Sequence, residues 1–110
     1  MESRTDLMRG TLDLLILRSL MATPLHGLAI ARRISQITQQ SFDVKPGSLF
    51  PALYRLEERG LIASEWGESD TRRRAKFYRL TRTGRKQLQV EEANWRRIAL
   101  AMTHALGSTS

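Results

Sequence analysis

Eight of the chain's 18 basic residues fall between Arg72 and Lys86: Arg72, Arg73, Arg74, Lys76, Arg79, Arg82, Arg85 and Lys86. No Asp or Glu occurs from Thr71 through Val90, so this stretch is a local positive field suited to neutralising a polyanion. A second group is Lys45, Ser48, Phe50 and Arg55, at and just after the start of a short helix opened by Lys45-Pro46-Gly47. The N-terminal part of such a helix can reach base edges or phosphates through side chains and amide N–H groups. Catalytic chemistry finds no constellation. His26 and His104 are far apart in the chain, there is no cysteine, and no Gly-rich phosphate loop or Gly-x-Ser-x-Gly elbow is present. We therefore expect neither an enzyme nor a cofactor or metal site.

The elements that must position these residues follow from periodicity. A first helix is predicted over about Thr11 to Ala22, with Thr11 as N-cap and Asp13 in the first turn. Its Leu12, Leu14, Leu15, Ile16, Leu17, Leu20 and Met21 surround the axis instead of forming one stripe, which places this helix at a subunit interface. Pro24 ends it. Gly27, Ile30, Ile34 and Ile37 then recur at helical spacing, with Arg32 and Arg33 on the other face.

Thr38 to Gly47 reads as a loop, followed by a third helix from Ser48 to a C-terminal Gly60. Pro51 falls in its first turn, where the missing N–H costs nothing, and Leu49, Leu53 and Leu56 form its buried stripe. Leu61 to Trp66 and Lys76 to Leu80 are short, rich in β-branched or aromatic residues and separated by Gly67-Glu68-Ser69-Asp70, so a two-stranded hairpin is expected. Trp66 and Tyr78 read as hairpin core. Of three consecutive arginines on an extended strand one must face away, which favours Arg73 and Arg74 over Arg72 as contacts. From Thr81, an N-cap, a helix runs to about Leu106, and Leu88, Trp95, Ile98, Met102 and Ala105 repeat at the spacing of a helix-pairing seam.

Three helices, a hairpin and a long helix make a mainly α chain with a small two-stranded antiparallel β-wing. That order is a winged helix-turn-helix unit over 1–81, joined to a C-terminal dimerisation helix and short tail over 82–110. Composition agrees with it. A chain of 110 residues forms one small domain that buries only about two thirds of its unfolded surface, and without cysteine it has no disulfide to compensate. Pairing with a second copy is the remaining route, with Leu14, Leu17, Leu88, Trp95, Ile98 and Met102 as the expected contacts. The net charge of +7 implies a polyanionic partner. Met1 to Asp6 is unlike a signal peptide, and the longest apolar run, Leu14 to Leu17, is far short of the roughly 20 residues that span a bilayer. A soluble, cytoplasmic protein without a membrane partner is expected.

Four blocks in order carry a resemblance. They are Gly10-Thr11-Leu12-Asp13-Leu14-Leu15-Ile16-Leu17, Pro24-Leu25-His26-Gly27, Gly47-Ser48-Leu49-Phe50-Pro51-Ala52-Leu53-Tyr54-Arg55-Leu56-Glu57 and Tyr78-Arg79-Leu80-Thr81-Arg82-Thr83-Gly84. Together they resemble the PadR family of bacterial transcriptional regulators, and Glu91-Glu92-Ala93-Asn94-Trp95-Arg96-Arg97 resembles its short, acidobacterial-type branch. The resemblance implies a homodimeric repressor in which the third helix reads double-stranded DNA at a near-palindromic operator. The wing would grip the flanking backbone, through Arg72, Arg73, Arg74 and Lys76. Phe50 departs from the family, which usually has tyrosine there. Trp95 reads either as an apolar plug between two copies or, by the resemblance, as a ring that stacks a small aromatic effector in a shared cavity. Two other readings stay open: a nucleoid-like or RNA-binding protein that uses the basic wing without sequence choice, and a protein-interaction module whose last helix seeks a foreign partner. For Arg55 the alternative to DNA contact is an ion pair with Glu58 or another carboxylate, and a basic partner is expected for Glu57 or Glu58.

Overall fold

A computed structural model describes residues 4–107; the outer ends of the two expected segments, 1–3 and 108–110, lie outside the described residues. The elements in order are α1 (Arg4–Ser19), β1 (Leu25–His26), α2 (Gly27–Ile37), α3 (Pro46–Glu58), β2 (Ile62–Glu68), β3 (Arg74–Leu80) and α4 (Arg82–Leu106).

Helix α1 begins well before Thr11, so Thr11 lies inside it and is not its N-cap. The polar Arg4–Gly10 stretch has no apolar period to announce it, yet the helix extends through it. Helices α2, α3 and α4 all pack against α1. That surround explains its apolar residues on several sides: Ile16, Leu17 and Leu20 are fully buried, and Leu12, Leu14 and Leu15 pack against the core half-buried. Leu17, at 1 % exposure, is therefore covered by its own chain and has no surface left for a partner. Leu88 on α4, at 3 %, is likewise a core residue of one protomer. The expectation that these two contact a second copy is corrected.

His26 caps α2, its Nδ1 accepting from the Ala29 N–H at 3.4 Å. Helix α3 starts at Pro46, two residues earlier than expected, because proline at the first helical position is pre-set for the helix. Ser48 is thus inside the first turn and caps nothing, and Pro51 lies in the helix interior, where its missing N–H leaves the Gly47 carbonyl without its usual partner. Leu49, Ala52, Leu53 and Leu56 face the core. Gly60, at φ +73°, ends the helix in the left-handed conformation that favours glycine.

The sheet has three strands, in the order β1-β3-β2, not two. Strands β2 and β3 form the expected antiparallel hairpin, from Ile62 opposite Leu80 to Glu68 opposite Arg74. The short β1 adds to the other edge of β3, Leu25 opposite Tyr78 and His26 opposite Phe77. Tyr78 is core, as expected.

Thr81 caps α4 and ties it to the end of α3. Its Oγ1 donates to the Gly60 carbonyl at 2.7 Å and accepts from the Gly84 N–H at 2.9 Å. A Cβ at Gly84 would overlap the Leu61 carbonyl, so this crossing needs glycine. The C-terminal half of α4 projects and gives the molecule its 58 Å long axis. Among the described residues no helix is long and apolar enough to cross a membrane.

Candidate nucleic-acid interface

Two exposed features carry the candidate residues: the start of α3 and the hairpin tip. At the first, Lys45 occupies the N-cap with extended backbone, its side chain makes no capping hydrogen bond to the helix, and no acidic residue occupies the first turn. Lys45, Pro46, Gly47 and Ser48 are all exposed. The positive end of the helix dipole is therefore open to an anion. Lys45 Nζ lies 2.6 Å from Asp43, but both side chains are about three quarters exposed, so a polyanion can displace this pair at small cost.

Phe50 is half exposed, with one side of its ring against Gly27: a Cβ at Gly27 would sit 2.9 Å from two ring carbons. Glycine at the start of α2 thus lets the Phe50 ring lie close to the backbone. Tyr54, 67 % exposed, points to solvent and does not pack beneath the wing. A hydrogen bond to Glu58, and then that carboxylate's charge, push the Tyr54 phenol above its ordinary range.

Arg55 is placed differently from the other three α3 residues. Its Nη2 donates to Asp13 Oδ1 on α1 at 3.1 Å, and its side chain is only a third exposed. The carboxylate partner is Asp13, not Glu58. Burial pushes the Asp13 carboxyl above its ordinary value, and the attraction of Arg55, Arg59 and Arg9 offsets this only in part. Arg55 is thereby committed to holding α3 on α1. Glu57 does have a basic partner: it lies 3.9 Å from Lys76 Nζ and accepts from Ser64 Oγ at 2.5 Å, which joins the last turn of α3 to both wing strands.

At the wing tip, residues 69–73 form the turn, closed by Ser69 N–H to the Arg73 carbonyl at 2.8 Å and Arg72 N–H to the Ser69 carbonyl at 2.9 Å. Arg72 has φ +61°, so it and Arg73 belong to the turn and not to a strand. Strand alternation therefore does not choose among the three arginines: Arg72, Arg73 and Arg74 are all exposed, and none makes an ion pair among the described residues. Trp66 is 59 % exposed and is not hairpin core, because β2 and β3 run past the edge of the domain. The Arg74 guanidinium lies over its ring, 4.9 Å from the centroid.

An uncapped helix start, a last turn of the same helix joined to an arginine-tipped hairpin, and this element order make the geometry of a winged helix. Residues 16–90 match the family model described as transcriptional regulator PadR-like family. The chain belongs to that family. It is 35% identical over 83 residues to the transcriptional regulator Rv3488 of Mycobacterium tuberculosis, covering 76% of this chain and 74% of that one. Among solved structures, a transcriptional regulator from Clostridium thermocellum superimposes with a TM-score of 0.78 at 29% identity, covering 94% of this chain and 96% of that one. A PadR family transcription regulator from Clostridium difficile superimposes with a TM-score of 0.74 at 32% identity, covering 86% of this chain and 97% of that one.

The match to the PadR-like family stops at Val90, short of the residues that distinguish the end of α4. There Trp95 and Ile98 are half-buried and Met102 is 54 % exposed, all on the face that begins with the buried Leu88. Arg18 on α1 reaches Glu92 on α4 at 3.1 Å, and Arg96 shares that carboxylate at 3.3 Å. His104 is exposed in the last turn.

Proposed function

We propose that this PadR-like transcriptional regulator is a homodimeric, sequence-specific DNA-binding repressor acting in the cytoplasm. Helix α3 enters the major groove of each half-site with Lys45, Ser48 and Phe50 at its leading end. The wing, through Arg72, Arg73, Arg74 and Lys76, meets the flanking DNA at its backbone or minor groove. The observation that carries this reading is the contrast in charge use: the half-buried cation Arg55 is neutralised by Asp13, while the three wing-tip arginines are exposed with no carboxylate partner among the described residues. Phe50, lacking a hydroxyl, makes apolar contact, as with a thymine methyl.

The two copies pair through the projecting half of α4, with Trp95, Ile98 and Met102 in the seam and the half-buried Leu14 of α1 at its margin. The division into a DNA-binding unit over 1–81 and a dimerising helix over 82–110 is functional, because Leu88 fixes both in one core. A dimer of this kind fits a near-palindromic operator with half-site centres about one helical turn, roughly 34 Å, apart. The paired Trp95 rings bind a small, flat aromatic effector, which relieves repression to the extent that it favours one spacing of the two α3 helices over the other.

The test is binding to the DNA upstream of this protein's own gene, against random duplex of equal length, across a salt series. Preference of about 10³-fold or more with a protected near-palindrome is expected. Equal, steeply salt-dependent binding to both would instead favour a non-specific nucleic-acid-binding role.

A further inference from the structure

We propose that Trp66 is a platform that positions the Arg74 guanidinium for insertion into a narrow, A·T-rich minor groove beside the base pairs met by α3. This rests on the reading of the chain as a DNA-binding protein and names a determinant of its specificity.

Strand register carries the inference. On one face of the hairpin the cross-strand pairs run Ile62 with Leu80, Ser64 with Tyr78, Trp66 with Lys76 and Glu68 with Arg74. The first pair is buried and Ser64 is bound to Glu57, but Trp66 emerges past the edge of α3 with 59 % of its surface exposed. Arg74 has a carboxylate directly opposite, in Glu68, and opposite charges so placed ordinarily pair. It makes no ion pair with Glu68; its guanidinium lies over the Trp66 ring instead. A cation over a ring is held by the ring's quadrupole and not by a carboxylate, so the guanidinium's N–H groups stay available to donate. Holding the side chain in place beforehand also reduces the entropy lost on binding. Lys76, the other cation on this face, lies 3.9 Å from Glu57 and does not compete for the ring.

Trp66, Gly67, Glu68, Arg72 and Arg74 line a shallow depression of about 390 Å³, with two guanidinium groups against one carboxylate. Glu68 repels a phosphate laid flat against the strands, so the arginines lead edge-on. An edge-on guanidinium is favoured in a narrow A·T groove, where the negative potential is enhanced, and is obstructed by the amino group that guanine places on the groove floor.

The experiment uses the full chain, competing at fixed salt for the alternating duplex polymers poly(dA-dT), poly(dI-dC) and poly(dG-dC). Inosine keeps guanine's major-groove edge and lacks its minor-groove amino group. The unmodified chain should bind the A–T and inosine polymers equally and about two- to fivefold more tightly than the G–C polymer. Trp66→Ala and Arg74→Ala should each abolish that preference yet keep binding to all three through Arg72 and Arg73, and Trp66→Phe should retain part of it. Because the polymers contain no operator, failure of operator recognition leaves this ordering unchanged. An unmodified chain without the preference, a Trp66→Ala variant that keeps it, or variants that weaken all three polymers equally would overturn the proposal.

Discussion

Arg55 of α3 and Asp13 of α1 meet at 3.1 Å, so the helix that faces outward is tied to the helix at the centre of the core. Both ends of the contact are partly withdrawn from water, with Asp13 at 16% side-chain exposure and Arg55 at 33%. Loss of either partner should destabilise the domain by about 1–2 kcal/mol, and a double-mutant cycle of Asp13→Ala and Arg55→Ala should return a coupling of about 1 kcal/mol. Arg55→Ala should lower operator discrimination no more than Asp13→Ala does. A loss of discrimination confined to Arg55→Ala would make Arg55 a base reader.

The same carboxyl gives a pH dependence of definite sign. Burial raises the Asp13 pKa above its ordinary 3.8, so the folded chain holds this proton more tightly than the unfolded chain. Its contribution is fully present below the ordinary value, declines as pH rises from there through the raised value, and is constant above. Asp13→Asn should remove this decline, measured as the difference between the two proteins in urea unfolding from pH 3 to 7. Parallel curves would contradict the assignment.

Gly84 should be the least replaceable glycine in the chain. Gly84→Ala drives a methyl into the Leu61 carbonyl where α4 crosses the end of α3, and about 3 kcal/mol of destabilisation is expected from overpacking against rigid backbone. Gly47→Ala, with open space around it, should change stability by well under 1 kcal/mol on thermal unfolding.

Arg72→Ala with Arg73→Ala should weaken binding to operator and random duplex alike. The salt slope should fall by about one unit for each phosphate that the wing no longer neutralises. Lys45→Ala should act mainly on discrimination, and identical effects from both changes would merge the two roles.

Ile98→Asp with Met102→Asp should leave the fold intact, since neither residue is buried in the protomer, and should convert the proposed dimer to a 12.6 kDa monomer in sedimentation. Sedimentation of the unmodified chain as a monomer would contradict the pairing itself.

Much of this was legible in the residues, and the misses share physical causes. The hairpin, the Thr81 cap, the Gly60 stop and the length of α4 each have a local signal that tertiary structure left intact. Strand β1 has none: Leu25–His26 is two residues long and exists only because β3 offers a free edge. The periodicity of Leu17 and Leu88 marks apolar helix faces without saying whether one chain or two will cover them. Trp66 alternates correctly onto the inward face, but the strand outruns the domain, so the same pattern that buries Tyr78 exposes the indole. Arg55 was legible only as a choice between DNA and a carboxylate, because its partner lies 42 positions away on α1.

The most direct test of the central claim is selection of bound duplexes from a random-sequence library by the full chain at physiological salt. Enrichment of a near-palindrome with half-site centres about one helical turn apart is expected. Bound sequences no different from the input library, held with a steep salt dependence, would contradict sequence-specific recognition by a dimer.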